Sequence, residues 1–280
     1  MATPGEGRSR RDLLLVAATV VLWLVALEWA WLSIHTYLGT DLTGEDAHAY
    51  WLTAHGDALY GRPAGSEDAF LYSPLFAQLV HLPAKLPFPA FATLVSLVEA
   101  ASFGWLLRPL GVRWGVPAFL FCLQAIFIGN IFGLLAVTAV LGVGAGGWWA
   151  IGSLTKVTPG LAGFGYLLGA REWRRLGWAL GVTAVLALAS YALAPGDWRD
   201  WVHFLRDAHT DLGVRVRTAA ALLLAVLAGV LRRPWLVAVA LALASPNLGG
   251  APALTVLAAV PRLWAVRRTV TPGADGAGVA

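Results

Sequence analysis

The sequence predicts an all-α integral membrane protein that crosses the bilayer about ten times. Of its 280 residues, 58% are hydrophobic and only 13% are charged, and the mean hydropathy is +0.69. A soluble domain carries about 25% charged residues. The apolar runs also lack the two-residue alternation of a membrane β-barrel, so helices are the form in which their backbone groups can be satisfied in lipid.

The basic residues occur in small clusters at the ends of apolar runs, a pattern that sets membrane topology and differs from a nucleic-acid-binding patch. We therefore expect a multi-pass protein of the cell membrane with both termini in the cytoplasm, surrounded by the lipid bilayer and with no nucleic-acid partner. The expected parts are a cytoplasmic tail (1–11), one transmembrane domain (12–268) with outer loops at about 35–70 and 194–215, and a disordered C-terminal tail (269–280).

The first half of the chain has an expected path through the membrane. The first helix, 13–34, leads outward, and a short segment at 71–82 returns to an inner turn at 83–87. The third helix, 88–107, then leads outward again. This path leaves Arg108 and Arg113 outside, against the positive-inside rule.

The second half is less regular. The apolar stretch 116–141 is broken at Gly129-Asn130 and is either two crossing helices or two half-helices that dip in and return. The segment 147–168, interrupted by Lys156 and Pro159, is expected to end at an inner arginine cluster. The remaining expected spans are 176–193, 218–231, 235–245 and 251–263.

A polar and aromatic stretch at 43–74 contains the strongest candidate for chemistry. Its first half predicts an interfacial helix with Asp46 and Tyr50 on one stripe. There, Asp46 could accept a proton from a hydroxyl nucleophile as a general base. Alternatively, Thr43-Gly-Glu-Asp46 is a capping box that serves only the start of the helix. Glu67 and Asp68 are expected to be solvated loop acids.

Lys156 lies within an apolar segment, where a charge costs roughly 2.5 to 3.5 kcal/mol. One interpretation is that it binds an anion in a cavity, beside a helix bent by Pro159. The other is that it snorkels to an interface or pairs with Glu28 or Glu99.

Two arginines and two histidines belong to the second outer loop. Arg215 and Arg217 lie where the chain re-enters the membrane, so they either clamp a phosphate or anchor the helix at the interface. His203 and His209 lack metal-ligand spacing and are expected to be structural or surface residues. Cys122 is alone in an apolar run, so we expect no disulfide and no cysteine metal site, and no other metal site is predicted.

Five short motifs occur in order between residues 41 and 265. They are Asp46-Ala-His-Ala-Tyr50-Trp51 followed by Gly61, Phe70-Leu-Tyr72-Ser-Pro74-Leu-Phe76, Gly129-Asn130, Leu154-Thr-Lys156-Val-Thr158-Pro159, and Ser245-Pro246.

This series resembles the membrane glycosyltransferases of the GT-C class, and within them glycosyltransferase family 87, the polyprenol-phosphate-mannose-dependent mannosyltransferase-like proteins. The resemblance implies a GT-C-like fold with interfacial helices in the first outer loop. It implies transfer of a sugar, typically mannose, from a polyprenyl-phosphate donor to a hydroxyl of a glycolipid or cell-envelope glycan on the outer side. Beyond that lipid-linked donor no cofactor is expected.

By this resemblance Asp46 is the general base of an inverting displacement, and Lys156, with Arg215 or Arg217, balances the donor phosphate. The substrate-binding residues are then Tyr50, Tyr72, Asn130, Lys156, Arg215 and Arg217.

One motif departs from the family pattern. The family commonly carries a Trp and a His after its Ser-Pro motif, whereas Ser245-Pro246 is followed by Asn247-Leu-Gly-Gly-Ala251. If that His assists catalysis in relatives, this chain has lost it or supplies a substitute such as His203 or His209. The alternative function is a non-catalytic or degenerate membrane protein that binds or transports a lipid-linked glycan. An enzyme requires Asp46 and Lys156 to face one outward-opening cavity within a sugar's width.

Overall fold

The computed structural model of the protein describes residues 6–56, 58–207, 212–245 and 251–270. Helices make up 82% of the structure and these ranges contain no strand, which confirms the all-α class. His209, Pro246 and the tail from 271 onward lie outside the described residues. The helices are α1 (Glu6–Tyr37), α2 (Glu45–Trp51), α3 (Pro74–His81), α4 (Phe88–Leu107), α5 (Gly111–Leu120), α6 (Leu123–Ile128), α7 (Phe132–Ala145), α8 (Trp149–Thr155), α9 (Val157–Gly169), α10 (Trp173–Leu193), α11 (Pro195–Asp207), α12 (Leu212–Val230), α13 (Leu236–Ala244), α14 (Ala251–Leu254) and α15 (Val260–Val270), with short 3₁₀ helices at Leu52–Ala54, Pro83–Lys85, Arg108–Leu110, Gly146–Trp148 and Thr255–Ala259.

Several helices are suited to a membrane. By length and composition alone, five helical stretches among the described residues could cross one, although two of them join helices that reverse direction, and the predicted number of about ten spans stays a prediction. Large apolar side chains such as Leu14, Leu188 and Leu223 are exposed on α1, α10 and α12, as expected of surfaces that face lipid. The five stretches are Arg10–Tyr37, Phe88–Leu120, Phe132–Thr155, Trp173–Leu193 and Leu212–Val230.

The helix α3 is too short to cross a membrane. Its eight residues cover about 12 Å, whereas the hydrocarbon core is about 30 Å thick. The chain that follows α3 still lies beside α2, because Trp51 Nε1 donates to the Leu86 carbonyl at 2.8 Å. The predicted return span at 71–82 and the predicted inner turn at 83–87 are therefore wrong. Both segments stay at the end of the bundle that carries α2, which we call the loop end.

Because α3 does not cross, α4 runs from the loop end to the opposite end, which we call the arginine end. Arg113, early in α5, donates to Thr19 Oγ1 at 2.6 Å and to the Leu15 carbonyl at 3.2 Å in the first half of α1. Arg108 lies just before it in the chain. Both arginines are therefore at the end where α1 begins, and the predicted violation of the positive-inside rule is wrong.

The last helix also returns to the arginine end. Arg262 Nε in α15 donates to the Trp105 carbonyl near the end of α4 at 2.7 Å. At the same end, Arg232 after α12 forms an ion pair with Glu172 between α9 and α10, at 2.9 Å. Both ends of the described chain thus lie on one side of the bundle, and the assignment of that side to the cytoplasm stays a prediction.

The stretch 116–141 rises and then returns. Gln124 Nε2 in α6 donates to the Tyr37 hydroxyl at the end of α1, at 2.6 Å, so α5 and α6 lead from the arginine end to the loop end. The chain turns at Gly129-Asn130, and α7 leads back. Of the two alternatives for this stretch, the direction of the chain favours two successive helices over half-helices that enter from the loop end.

The helices α7, α8 and α9 fold back on one another. A Cβ added to Gly152 in α8 would lie 3.2 Å from Thr138 Oγ1 in α7, although a straight helix would place these residues about 21 Å apart. A Cβ added to Gly160 in α9 would lie 2.2 Å from the Ser153 Cα in α8. The single interrupted segment predicted at 147–168 is therefore wrong. α8 and α9 form an antiparallel hairpin with Lys156 at its tip, at the loop end.

Candidate active site

Asp46 points into the loop end of the bundle. No side chain caps α2, whose N-cap is Gly44 in a left-handed conformation with φ 74°. The Thr43 hydroxyl donates instead to the Tyr37 carbonyl. The capping-box alternative is therefore wrong. Asp46 is partly buried, and its Oδ2 accepts a hydrogen bond from Asn130 Nδ2 at 2.5 Å.

A left-handed turn at Gly129 holds Asn130 opposite Asp46. α6 ends at this glycine, whose φ of 73° costs glycine little. The Gly44 amide donates to the Phe127 carbonyl at 2.8 Å, which joins the start of α2 to the last turn of α6. A Cβ on Gly129 would lie 2.6 Å from the Ala47 Cβ. The turn and α2 are therefore packed at the closest distance that glycine allows.

Replacing this glycine should displace Asp46. We expect Gly129→Ala to lower the free energy of unfolding by about 1 to 2 kcal/mol from the left-handed backbone alone, and by more from the clash with Ala47. Thermal unfolding of the detergent-solubilised protein measures this loss. The matched control is Gly181→Ala in α10, where an added Cβ meets no atom within 4 Å. Equal stability of the two variants would contradict the role assigned to the turn.

Lys156 completes the group from the other side of Asn130. Its Nζ donates to Asn130 Oδ1 at 3.1 Å and lies over the Phe132 ring, 3.6 Å from the ring centroid. The Tyr72 ring centroid is 5.6 Å away. A single amide thus separates Lys156 from Asp46, so the ammonium and carboxylate are at most about 8 Å apart. The two groups are thus within about a sugar's width of each other, and an outward-opening cavity that both of them face stays a prediction.

Buried tyrosines pack beside the group of Asp46, Asn130 and Lys156. The Tyr50 and Tyr72 hydroxyls lie 2.7 Å apart, and both side chains are buried. The Tyr60 hydroxyl donates to the Tyr72 carbonyl at 2.8 Å, and the Ser73 hydroxyl donates to the Leu154 carbonyl at the end of α8. The first outer loop is thus fixed to the hairpin that carries Lys156. The Tyr50 and Tyr72 hydroxyls form a hydrogen bond with each other. Binding of substrate by these two residues stays a prediction.

Glu99 is a fully buried carboxylate behind the site. It accepts hydrogen bonds from the Gly133 amide at 2.7 Å and the Leu134 amide at 3.1 Å, in the first turn of α7. An acid in this position stabilises the positive end of a helix. Lys156 is near enough to interact with it electrostatically, but the hydrogen bonds of Glu99 go to the backbone. Glu99 therefore fixes the start of α7, directly after Asn130.

Asp68 is not the solvated acid that the sequence predicts. Its side chain is 12% exposed and binds His48 at 2.7 Å and Arg62 at 2.8 Å. Its backbone φ of 58° lies in the left-handed region. Asp68 joins α2 to the loop that follows, so its role is structural.

The two predicted phosphate-binding arginines lie at the depth of Lys156. α12 runs parallel to α9, because Gly165 packs against Ala225 and Gly169 packs against Gly229 farther along both helices. Both helices rise about 1.5 Å per residue, so the same pairing continued toward their starts places the beginning of α12 level with Lys156. Their contact with a phosphate stays a prediction. They are Arg215, which is exposed, and Arg217, which is partly buried.

The described residues contain no group of side chains suited to a metal ion. Within the described ranges, no three His, Cys, Asp or Glu side chains are grouped in a way that could hold a metal ion.

Burial raises the pKa of Asp46 above its usual range, while the Lys156 charge and the hydrogen bond from Asn130 act in the opposite direction. Asp46 is therefore a stronger proton acceptor than a solvated aspartate.

The comparisons with known proteins identify the family. The family model described as glycosyltransferase family 87 matches residues 70–279, three quarters of the chain. The chain belongs to glycosyltransferase family 87. It is therefore a membrane glycosyltransferase, as the order of its motifs predicts. No curated protein and no solved structure matches the chain.

The matched region of this glycosyltransferase includes every predicted site residue except Asp46 and Tyr50, which precede it. The placement of Asp46 in the site therefore rests on its hydrogen bond to Asn130. Sequence reasoning missed Phe132, which lies under the lysine ammonium. The signal was an aromatic residue two positions after the Gly129-Asn130 break, where a helix start would bring it to the site.

Proposed function

We propose that this glycosyltransferase moves a sugar, with mannose as the first candidate, from a polyprenyl phosphate to an acceptor hydroxyl. The acceptor is a glycolipid or cell-envelope glycan on the loop-end side of the membrane. The observation that carries the proposal is the Asn130 bridge, which brings a carboxylate and an ammonium group together where two outer loops meet the bundle. Base and anion partner are the two groups that this transfer requires.

In the proposed reaction, Asp46 accepts the proton of the acceptor hydroxyl as its oxygen attacks the anomeric carbon. Oδ2 of Asp46 is occupied by Asn130, whereas Oδ1 accepts no hydrogen bond within the described part of the chain. The carboxylate can therefore take a proton without losing its contact with Asn130. No protein nucleophile is needed, and the configuration of the sugar inverts.

On the other side of the sugar, the bond between the anomeric carbon and the phosphate oxygen breaks, and the electron pair stays on the phosphate. In the proposed complex Lys156 balances the growing negative charge, which its position across Asn130 from Asp46 supports. The arginines that begin α12, at the same depth, supply further positive charge from the neighbouring helix. The polyprenyl chain remains in the bilayer.

A donor panel tests the proposal. Purified protein in lipid nanodiscs is incubated with labelled polyprenyl-phosphate mannose, polyprenyl-phosphate glucose or a nucleotide sugar, together with membrane glycolipids as acceptors. We expect transfer from a polyprenyl-phosphate sugar with inversion at the anomeric carbon, and none from the nucleotide sugar. Transfer from the nucleotide sugar alone would contradict the proposal, and specific binding of lipid-linked sugars without transfer would support the non-catalytic alternative.

The raised pKa of Asp46 predicts a pH dependence. The base must be ionised, so the transfer rate should fall as the pH drops through a pKa above the usual aspartate range. Asn130→Ala removes a hydrogen bond that lowers this pKa, so the midpoint of the acidic limb should move to higher pH. The profile of transfer rate against pH measures the midpoint. Lys85→Met, at an exposed residue of the loop end, is the control, and an unchanged midpoint in Asn130→Ala would contradict the assignment.

A further inference from the structure

The helix α11 in the second outer loop carries its side chains in three stripes. At about 100° per residue, an apolar stripe is followed by a basic stripe and then by an acidic one. A basic edge beside an apolar face is the pattern of a helix that lies at a membrane interface. The apolar stripe is Trp198, Val202 and Leu205, the basic stripe is Arg199, His203 and Arg206, and the acidic stripe is Asp197, Asp200 and Asp207.

The acidic side of α11 faces the first outer loop. The Phe204 ring lies 5.7 Å from the Tyr60 ring, and Asp197 and Asp200 are close enough to act on the Tyr60 hydroxyl electrostatically. Trp201, on the adjoining face, is buried. The helix is therefore held in one orientation, with its basic stripe turned away from the first outer loop.

The basic stripe lines an open groove. The cavity of about 330 Å³ lies between α11 and the end of α10. Arg199 and Arg206 are exposed, and no carboxylate of the described residues lies within 4.0 Å of either guanidinium. The lining residues are Tyr191, Trp198, Arg199, Val202, His203 and Arg206.

The groove lies where the apolar surface ends. Leu188 and Leu193 on α10 are among the most exposed large apolar side chains, and Trp198 Nε1 donates to Ser190 Oγ at 3.0 Å. Tryptophan and tyrosine favour the level of lipid headgroups. This is the level at which the lipid headgroups of the surrounding leaflet are expected.

We propose that this groove binds the phosphate of an anionic phospholipid of that leaflet, at a site separate from Asp46 and Lys156. The guanidinium groups of Arg199 and Arg206 match phosphate oxygens, and Tyr191 and Trp198 flank the glycerol region. A phospholipid fits better than a soluble anion because the apolar stripe of α11 continues the groove into the lipid-facing surface. This site goes beyond the proposed sugar transfer and does not depend on it.

A local quenching experiment tests the site. Cys122 is buried, so Leu205→Cys, next to the groove on the apolar stripe, provides one accessible thiol for a bimane label. The protein is placed in phosphatidylcholine nanodiscs that contain a fixed fraction of nitroxide-labelled phosphatidylglycerol or nitroxide-labelled phosphatidylcholine, with the nitroxide near the headgroup. We expect quenching by phosphatidylglycerol to exceed that by phosphatidylcholine at least threefold, since each basic residue near a membrane surface favours anionic lipid by about fivefold.

The same label in an Arg199→Gln/Arg206→Gln background should show equal quenching by the two lipids. A label at Leu188→Cys, on the lipid-facing side of α10, should show no preference in either background. A preference that survives the double substitution, or equal quenching in the parent, would overturn the site. Displacement of phosphatidylglycerol by a few per cent of polyprenyl phosphate would assign the groove to the donor lipid and would likewise overturn the proposal.

Discussion

Asp46→Asn should lower the transfer rate by about 10² to 10⁴, the usual contribution of a general base. The fold should be unaffected, because the asparagine Oδ1 can still accept the hydrogen bond from Asn130 Nδ2. What is lost is a group that can take the acceptor's proton. Transfer from labelled donor, with thermal unfolding of the same sample, separates loss of chemistry from loss of structure.

The neighbouring residue offers a matched control. Glu45 lies on the same helix and is exposed, so Glu45→Gln removes a carboxylate one position away and should leave the rate within about twofold. If Asp46→Asn keeps full activity, Asp46 is not the base. If both variants lose activity equally, a general change of charge in the loop is the cause.

Lys156→Met should lower the transfer rate by about 10² to 10³ and weaken binding of the lipid phosphate. Methionine keeps the apolar stem over the Phe132 ring but removes the charge. The loss should be smallest at high donor concentration if Lys156 acts mainly in binding, and independent of concentration if it acts mainly on the leaving phosphate. Rates measured over a range of donor concentrations distinguish these roles.

The sequence has only one other lysine, and it lies at the same end of the bundle. Lys85 is exposed, so Lys85→Met removes an equal charge outside the site and should leave donor dependence unchanged. Asp46→Asn should bind the lipid phosphate as tightly as the parent does, whereas Lys156→Met should bind it more weakly. An unchanged transfer rate at every donor concentration in Lys156→Met would contradict its role as the partner of the phosphate.

The sequence predicted the class of fold and the proximity of two key residues. Low charge and long apolar runs indicated a helical membrane protein, and the order of the motifs indicated the family. The proximity of Asp46 and Lys156 followed from the resemblance and from the cost of a lone charge in lipid. The contact with Asn130 explains why that charge is tolerated at the tip of a hairpin.

The path of the chain was harder to predict. An apolar run of about 12 residues, such as 71–82, is too short to span and is equally typical of a buried helix, so its direction depends on tertiary contacts. The fold-back at Gly152 and Gly160 depends on the close approach of α8 to α7 and of α9 to α8. A local sequence pattern does not indicate such contacts between helices. Asp68 was misjudged for a similar reason, since its partners, His48 in α2 and Arg62 in the loop, meet it only in the folded chain.

Under the proposed function, the length of α7 would set the depth of sugar transfer in the membrane. Its fourteen residues rise about 21 Å at most, from the arginine end, where the Gly146 backbone meets Arg175, to Phe132 beneath Lys156. A hydrocarbon core is about 30 Å thick, so the phosphate would sit roughly 9 Å below the far surface. A short polyprenyl-phosphate headgroup can reach that depth, whereas a bulky soluble donor would have to lose its hydration shell to reach it.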